Sequence, residues 1–291
     1  MSDHIVRATA EGVRAFAAIT TDLVAEAAKR HECFPVATAA LGRVLTGAVL
    51  FAANLKNDES VTIRIAGDGE LGDIVADANS CGAVRGYVHN PHADLPAIDG
   101  KLSVGTAVGK GLLQITRFTN LKEPFTGTTQ LVSGEIGEDL TRYLLESEQT
   151  PSTIGLGVLV NPDGSVAGAA GFMVQAMPGA DPRVLEEIEK NLVFLSSPSQ
   201  LAAEGVNASG IIRLLFTGLD ASLQAPEPLC FQCNCGTERV KKLLAGLSRK
   251  DLEEMIQDDG AEVKCHFCAE YYQIPVEELK QILNDLMNSK K

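Results

Sequence analysis

The sequence predicts an α+β protein: an N-terminal, mostly antiparallel sheet with a buried helix, then a helical linker, then a small C-terminal domain. Three observations carry this reading. Short β-branched or alternating runs bounded by Gly, Pro and Asn recur from His4 to about Pro178. Helical stripes without strand signals follow over residues 179–229. Five of the 7 cysteines (Cys230, Cys233, Cys235, Cys265 and Cys268) then fall within residues 230–291. The expected domains are therefore 1–178, 179–229 and 230–291.

Within 1–178, Val36 to Leu55 is apolar on nearly every face and Pro35 suits a first helical turn, so a buried central helix is expected. The strand candidates are Val61–Ile65, Ala83–Val88, Gly111–Phe118, Thr128–Val132, Ile154–Val160 and Gly171–Val174, with an amphipathic helix over Ile136–Glu148. Gly67-Asp-Gly69-Glu-Leu-Gly72 matches GxGxxG. The strand-like Asp73-Ile-Val-Ala-Asp follows it, so it reads as a hairpin turn and not as a pyrophosphate loop, which needs a helix there.

Asp181-Pro182 is an N-cap followed by proline at the first helical position, and Leu185, Ile188 and Leu192 continue an apolar stripe. A second helix after Ser209 carries Ile212, Leu215, Phe216 and Leu219 at i, i+3, i+4 and i+7. Short helices are marginal alone in water, so both stripes require a neighbour. In 230–291, Val240, Leu243, Leu244 and Leu247 form one stripe, Ser248 with Asp251 forms a capping box, and Pro275 opens a last helix. Residues 230–291 have few large apolar groups and lie near the lower limit for a self-supporting core, so a staple is expected.

Composition narrows the function classes. The 291 residues are 45% hydrophobic and 22% charged, an ordinary globular balance. A formal charge of −13 is a poor basis for binding phosphate, so no nucleic-acid partner is expected. The tail repeats the point, with 11 acidic against 9 basic side chains. Met1–Ala10 lacks a signal-peptide pattern, and Val44–Leu55 is too short for a bilayer span of about 20 residues. A cytoplasmic chain without a membrane span is expected.

The staple is Cys233-Asn-Cys235, 29 residues, then Cys265-His-Phe-Cys268. Two close thiol pairs can supply the four corners of a tetrahedral zinc site, one ion per chain, although thiolates also accept iron. Four thiolates leave no open position for substrate, so the metal is structural or a switch. Cys230 makes Cys230-Phe-Gln-Cys233 a competing pair, so spacing alone leaves the ligand set open. A thioredoxin-like role for Cys265-to-Cys268 is disfavoured, because a strand-like segment follows it and not a helix. Cys33 and Cys81 lack a paired thiol or an adjacent base, and no catalytic residue is expected.

Several motifs together with the CxC…CxxC tail resemble a known family: Thr38-Ala-Ala-Leu-Gly-Arg43, Asp77-Ala-Asn79, Leu131-Val-Ser-Gly-Glu-Ile136, Ser147-Glu-Gln-Thr-Pro-Ser152 and Gly157-Val-Leu-Val-Asn-Pro-Asp-Gly164. Over essentially the whole chain they are similar to the 33 kDa chaperonin, the redox-regulated heat-shock holdase of bacteria. The resemblance implies an ATP-independent chaperone that holds unfolded clients under oxidative stress and forms a homodimer when oxidised. It also implies zinc ligands and switch thiols at Cys233, Cys235, Cys265 and Cys268, with Cys230 outside the family pattern. Oxidation would then expel zinc, melt 230–291, and free the Leu185/Ile188/Leu192 and Leu215/Phe216/Leu219 stripes of the linker for clients. The rival reading is a constitutive zinc-stabilised scaffold or binding module.

Overall fold

The computed structural model describes residues 2–98, 100–119 and 123–288 and divides into two compact units, 1–232 and 233–291. The first unit begins with the hairpin β1 (His4–Ala10) and β2 (Val13–Ile19), followed by α1 (Thr21–His31) and α2 (Pro35–Ala52). Then come β3 (Ser60–Gly67), β4 (Asp73–Asn79), β5 (Ala83–Val88), α3 (Val104–Val108), β6 (Gly111–Phe118), β7 (Phe125–Gln130) and α4 (Gly137–Glu146). The long hairpin β8 (Ser152–Val160) and β9 (Val166–Ala176) precedes α5 (Pro182–Phe194), α6 (Pro198–Ala203) and α7 (Ala208–Leu215). Three two-residue strands close the unit: β10 (Ser222–Leu223), β11 (Glu227–Pro228) and β12 (Cys230–Phe231).

These strands form two sheets. The first runs β10-β1-β2-β9-β8 with β11 also on β1, and the second runs β12-β5-β4-β3-β6-β7. All pairings are antiparallel except β12 with β5, which is parallel. GxGxxG lies in the β3–β4 hairpin, as its following strand pattern requires.

Helix α2 packs on β8 and β9 of the first sheet and on β3, β4 and β5 of the second, so it is apolar all round because it is enclosed all round. It is the one described helix long and apolar enough to cross a bilayer, yet 89% of it lies buried within the protein, as in a core helix. Gly42 is required on it: a Cβ there would come within 2.6 Å of Val24 on α1 and 2.8 Å of Val158 on β8.

The other face of the first sheet answers the question of what covers the linker stripes. Val6, Ala8, Ala15, Ala17, Phe172 and Val174 form a second core with Val184, Ile188, Ile212, Leu215 and Phe216, with Leu185, Leu192 and Leu219 packed partly buried against it. The segment expected to hold two helices and no strand partners has three helices, and β10 and β11 pair with β1. The Asp181 cap forms as expected, its side chain accepting from the Arg183 amide, while the helix expected after Ser209 starts earlier, capped by the Asn207 side chain, which accepts from the Gly210 amide.

The second unit contains α8 (Thr237–Leu244), α9 (Arg249–Gln257), the hairpin β13 (Ala261–Lys264) and β14 (Tyr271–Ile274), and α10 (Val276–Asn288). Ser248 and Asp251 form the expected capping box at α9. The core of this unit is small: Val240, Leu244, Leu252, Ile274 and Leu279, with partly buried neighbours such as Met255 and Tyr272.

Candidate metal centre

Two turns bring four sulfurs together in the second unit. Cys233 and Cys235 lie before α8, while Cys265 and Cys268 lie in the loop of the β13–β14 hairpin. That loop is tight. The Cys265 amide donates to the Glu270 carbonyl at 2.8 Å, the Ala269 amide to the Cys265 carbonyl at 2.8 Å, and Ala269 takes a left-handed φ of 56°. The fold-back aims Cys265 and Cys268 at one point, and the Glu270 amide donates to the Cys268 sulfur.

All four Sγ atoms lie within 4.8 Å of one another. Cys233 is 3.8 Å from Cys265, and Cys235 is 3.2 Å from Cys268. A tetrahedron of metal–sulfur bonds of about 2.3 Å has edges of roughly 3.8 Å, so the set fits a tetrahedral thiolate site. Burial pushes the Cys268 and Cys235 thiols up from their ordinary range, which makes their ionisation unfavourable unless a cation compensates it. Cys268 is the buried member and the other three are half-buried.

The remaining candidates separate from this cluster. Cys230 sits in β12, its residue paired with Ala83 and its amide donating to the Gly82 carbonyl at 3.0 Å; its exposed side chain is not one of the four. His266 is exposed and is likewise outside the set. Burial pushes the Cys33 thiol up to about 12, so it is a poor nucleophile at neutral pH, and Cys81 is exposed on the turn before β5. Of the linker residues singled out for clients, Ile188, Leu215 and Phe216 are no more than 3% exposed, held on the first sheet.

One neighbour escaped sequence reasoning. The Tyr272 hydroxyl donates to the Cys235 sulfur at 3.0 Å, a bond that keeps the phenol proton in place and pushes its pKa up. Alternation along Tyr271-Tyr272-Gln273-Ile274 could have put Tyr272 on the inner face, but its reach to a sulfur 37 residues away depends on the tertiary fold.

The α+β unit with two sheets around a buried helix, followed by a small unit carrying four clustered thiols, defines a class of protein that bears a metal-competent cysteine cluster near its C-terminal end. Comparison with known proteins identifies which. A family model described as Hsp33 protein matches residues 3–275. The 33 kDa chaperonin of Desulforamulus reducens is 48% identical over 287 residues, covering 97% of this chain and 98% of that protein. That of Listeria monocytogenes is 44% identical over 293 residues, covering 98% and 99%. The crystal structure of the Thermotoga maritima 33 kDa chaperonin, a heat shock protein 33 homolog, superposes with a TM-score of 0.91 at 35% identity, covering 98% of this chain and 99% of that one. The chain belongs to the Hsp33 family of chaperones.

Proposed function

We propose that this chain is a redox-regulated, ATP-independent holdase, inactive when reduced and zinc-bound and activated by disulfide formation with release of the metal. The observation that supports it most is the four-sulfur cluster, every sulfur within 4.8 Å of the others. Cys233, Cys235, Cys265 and Cys268 would be its ligands. Bound there, Zn2+ would hold all four sulfurs as thiolates and tie the loop before α8 to the β13–β14 hairpin.

Thiolates are the form that peroxide attacks. One cluster sulfur gives an electron pair to a peroxide oxygen, the O–O bond breaks, and a sulfenic acid and hydroxide form. A neighbouring thiolate then attacks that sulfur, the S–O bond breaks, a second hydroxide leaves and a disulfide closes. Both sulfurs are thereby lost as charged ligands.

The consequence for the second unit follows from its size. Structural zinc binding contributes on the order of 10–16 kcal/mol of apparent free energy in small domains, comparable with a typical domain's whole stability of about 5–15. A core of five buried aliphatic side chains does not replace it. The second unit, from Cys233 onward, would melt, and the linker residues Leu185, Ile188, Leu192, Leu215, Phe216 and Leu219 are the candidate client surface. Leu185, Ile188 and Leu192 lie on α5, of 13 residues, and Leu215 ends α7, of 8, short helices that depend on packing against the first sheet to stay formed. Unfolded proteins are the partners, the oxidised form is a homodimer, the compartment is the cytoplasm, and no enzymatic reaction is involved.

Peroxide titration of the zinc-loaded chain tests this directly. About one zinc per chain should appear in solution, the number a single four-thiolate site allows, and suppression of client aggregation should rise with it. Equal suppression by the reduced, zinc-loaded protein would support the constitutive scaffold instead.

A further inference from the structure

Strand β7 (Phe125–Gln130) ends the second sheet, with β6 on one side and no strand on the other among the described residues. The ladder fixes which backbone groups it leaves open. The Leu131 amide donates to the Gly111 carbonyl at 2.9 Å, so alternation points the backbone of Phe125, Gly127 and Thr129 at β6 and that of Thr126, Thr128 and Gln130 away from it. The side chains of these last three are exposed, as is Phe125 at 57%. Three N–H and three C=O groups therefore face outward in strand geometry.

The other sheet edges of the first unit are protected. On β1 the short β10 and β11 pair, and on β5 the short β12 pairs, with Arg85 following it along the strand. On β8 helix α4 lies across the edge: its Thr141 hydroxyl accepts from the Ile154 amide at 3.1 Å, and a Cβ on Gly137 would come 3.4 Å from the Ile154 carbonyl. Strand β7 has none of these devices. Phe125-Thr-Gly-Thr-Thr-Gln130 carries no charge and no proline, the residues that normally keep a free edge from pairing, and phenylalanine and threonine favour strands.

We infer that β7 is a docking edge for an extended segment of an unfolded client, which joins the second sheet as a further strand beside Thr126, Thr128 and Gln130. Pairing through the main chain is indifferent to side-chain sequence, which suits partners as varied as the clients of a chaperone family. A second copy of this chain is a poorer occupant. A six-residue edge is about 20 Å long and a sheet about 10 Å thick, so it buries roughly 200 Å² per partner, against about 800 Å² in a stable dimer. A client needs less from the edge, because the same unfolded chain can touch the linker surface as well, and tethered contacts reinforce one another. The identity of the partner rests on the holdase reading, whereas the pairing itself requires neither zinc nor peroxide.

The test uses the full reduced chain and, as probe, a short peptide of alternating valine and threonine with a lysine at each end, in high salt. Titrated to millimolar concentration, the peptide should shift the amide resonances of Thr126, Thr128 and Gln130 and slow their hydrogen exchange. Thr128→Pro removes one outward donor and leaves the bonds to β6 intact, so it should weaken binding about fivefold, the worth of one backbone hydrogen bond. Thr128→Lys puts a charge on the edge and keeps its backbone; it should weaken binding to a similar extent, and it decides the matter if the proline variant fails to fold. A peptide with two adjacent central residues replaced by proline, which loses a donor on each edge, should not bind. Equal binding by the wild type and a folded variant, binding of the proline peptide, or shifts confined to residues outside β7 would overturn the inference. So would protection of the three amides that appears without peptide and grows with protein concentration, the mark of a second copy. None of these results touches the zinc switch, which fails instead if the reduced chain already suppresses aggregation as well as the oxidised one.

Discussion

The amide of Leu23 donates to the Asp3 carboxylate at 2.6 Å, with the Asp22 amide at 3.2 Å on the other oxygen, so a side chain from the residue just before β1 caps helix α1. The Asp3 carbonyl also accepts from the Leu229 amide at 3.1 Å. Asp3 is only 5% exposed, and burial raises its pKa from 3.8 to about 6 despite the two amides that oppose the shift. The folded state therefore binds the proton more tightly than the unfolded chain. The stability this adds is full below about pH 3.8 and is lost as pH rises through about 6. Asp3→Asn should raise the melting temperature at pH 7 by an amount corresponding to about 1–3 kcal/mol and change it little at pH 4. Thermal melts across that range decide it. A variant less stable at pH 7 would show that the charge-assisted bonds outweigh the buried charge.

Asp139 does similar work at α4 on a larger scale. Its Oδ1 accepts from Val132 at 2.6 Å and Ser133 at 3.1 Å, and its Oδ2 from Ile136 at 2.8 Å, where the chain takes a left-handed φ of 72°. Asp139 is 1% exposed, so its loss strands amides away from water. Asp139→Ala should lower the stability of the first unit by about 3 kcal/mol or more, and Asp139→Asn by less, because one acceptor oxygen remains. Denaturant midpoints for the two variants give the ranking.

These two carboxylates mark the boundary of what could be read from the chain. Features set by neighbours in sequence were legible: the all-apolar α2, the Asp181-Pro182 start of α5, the Ser248/Asp251 box, the hairpin at Gly67–Gly72 and the spacing of the four cysteines. Features set by distant partners were not. β1 and β2 are rich in alanine, a weak strand former, and are strands because β9 and the short β10 and β11 pair with them. The neighbour of the linker stripes is the first sheet, a fact of topology that no periodicity reveals. Likewise the position of Cys230 depends on the pairing of β12 with β5, whereas spacing alone left it a rival ligand.

That placement makes a direct metal-binding prediction. Cys230→Ser should retain about one zinc per chain, because the four-sulfur group does not include it, whereas Cys268→Ser removes the buried corner of the tetrahedron. Metal analysis of the two purified proteins measures this. The Cys268→Ser chain should also lose helical circular dichroism from α8 to α10 while the amides of residues 1–232 keep their hydrogen-exchange protection. Loss of zinc from Cys230→Ser would assign the exposed thiol to the site after all.

The lean core of the second unit should make its metal retention sensitive to packing. Leu252 on α9 is fully buried at 0% exposure, at the centre of a cluster with Val240, Leu244, Ile274 and Leu279. Truncating such a leucine to alanine costs about 2–5 kcal/mol, lost transfer energy plus the cavity left behind. Metal binding and folding of a small domain are one equilibrium, so this loss must reappear as weaker zinc binding. At about 1.4 kcal/mol per decade, Leu252→Ala should release zinc to a competing chelator at a concentration lower by more than tenfold, with no change in the unfolding of residues 1–232. Under the proposed switch the same variant should also suppress client aggregation at lower peroxide than the wild type, because less has to be lost before the tail melts. An unchanged chelator midpoint would show that sulfur ligation alone holds the unit together and that its hydrophobic core contributes nothing to the threshold.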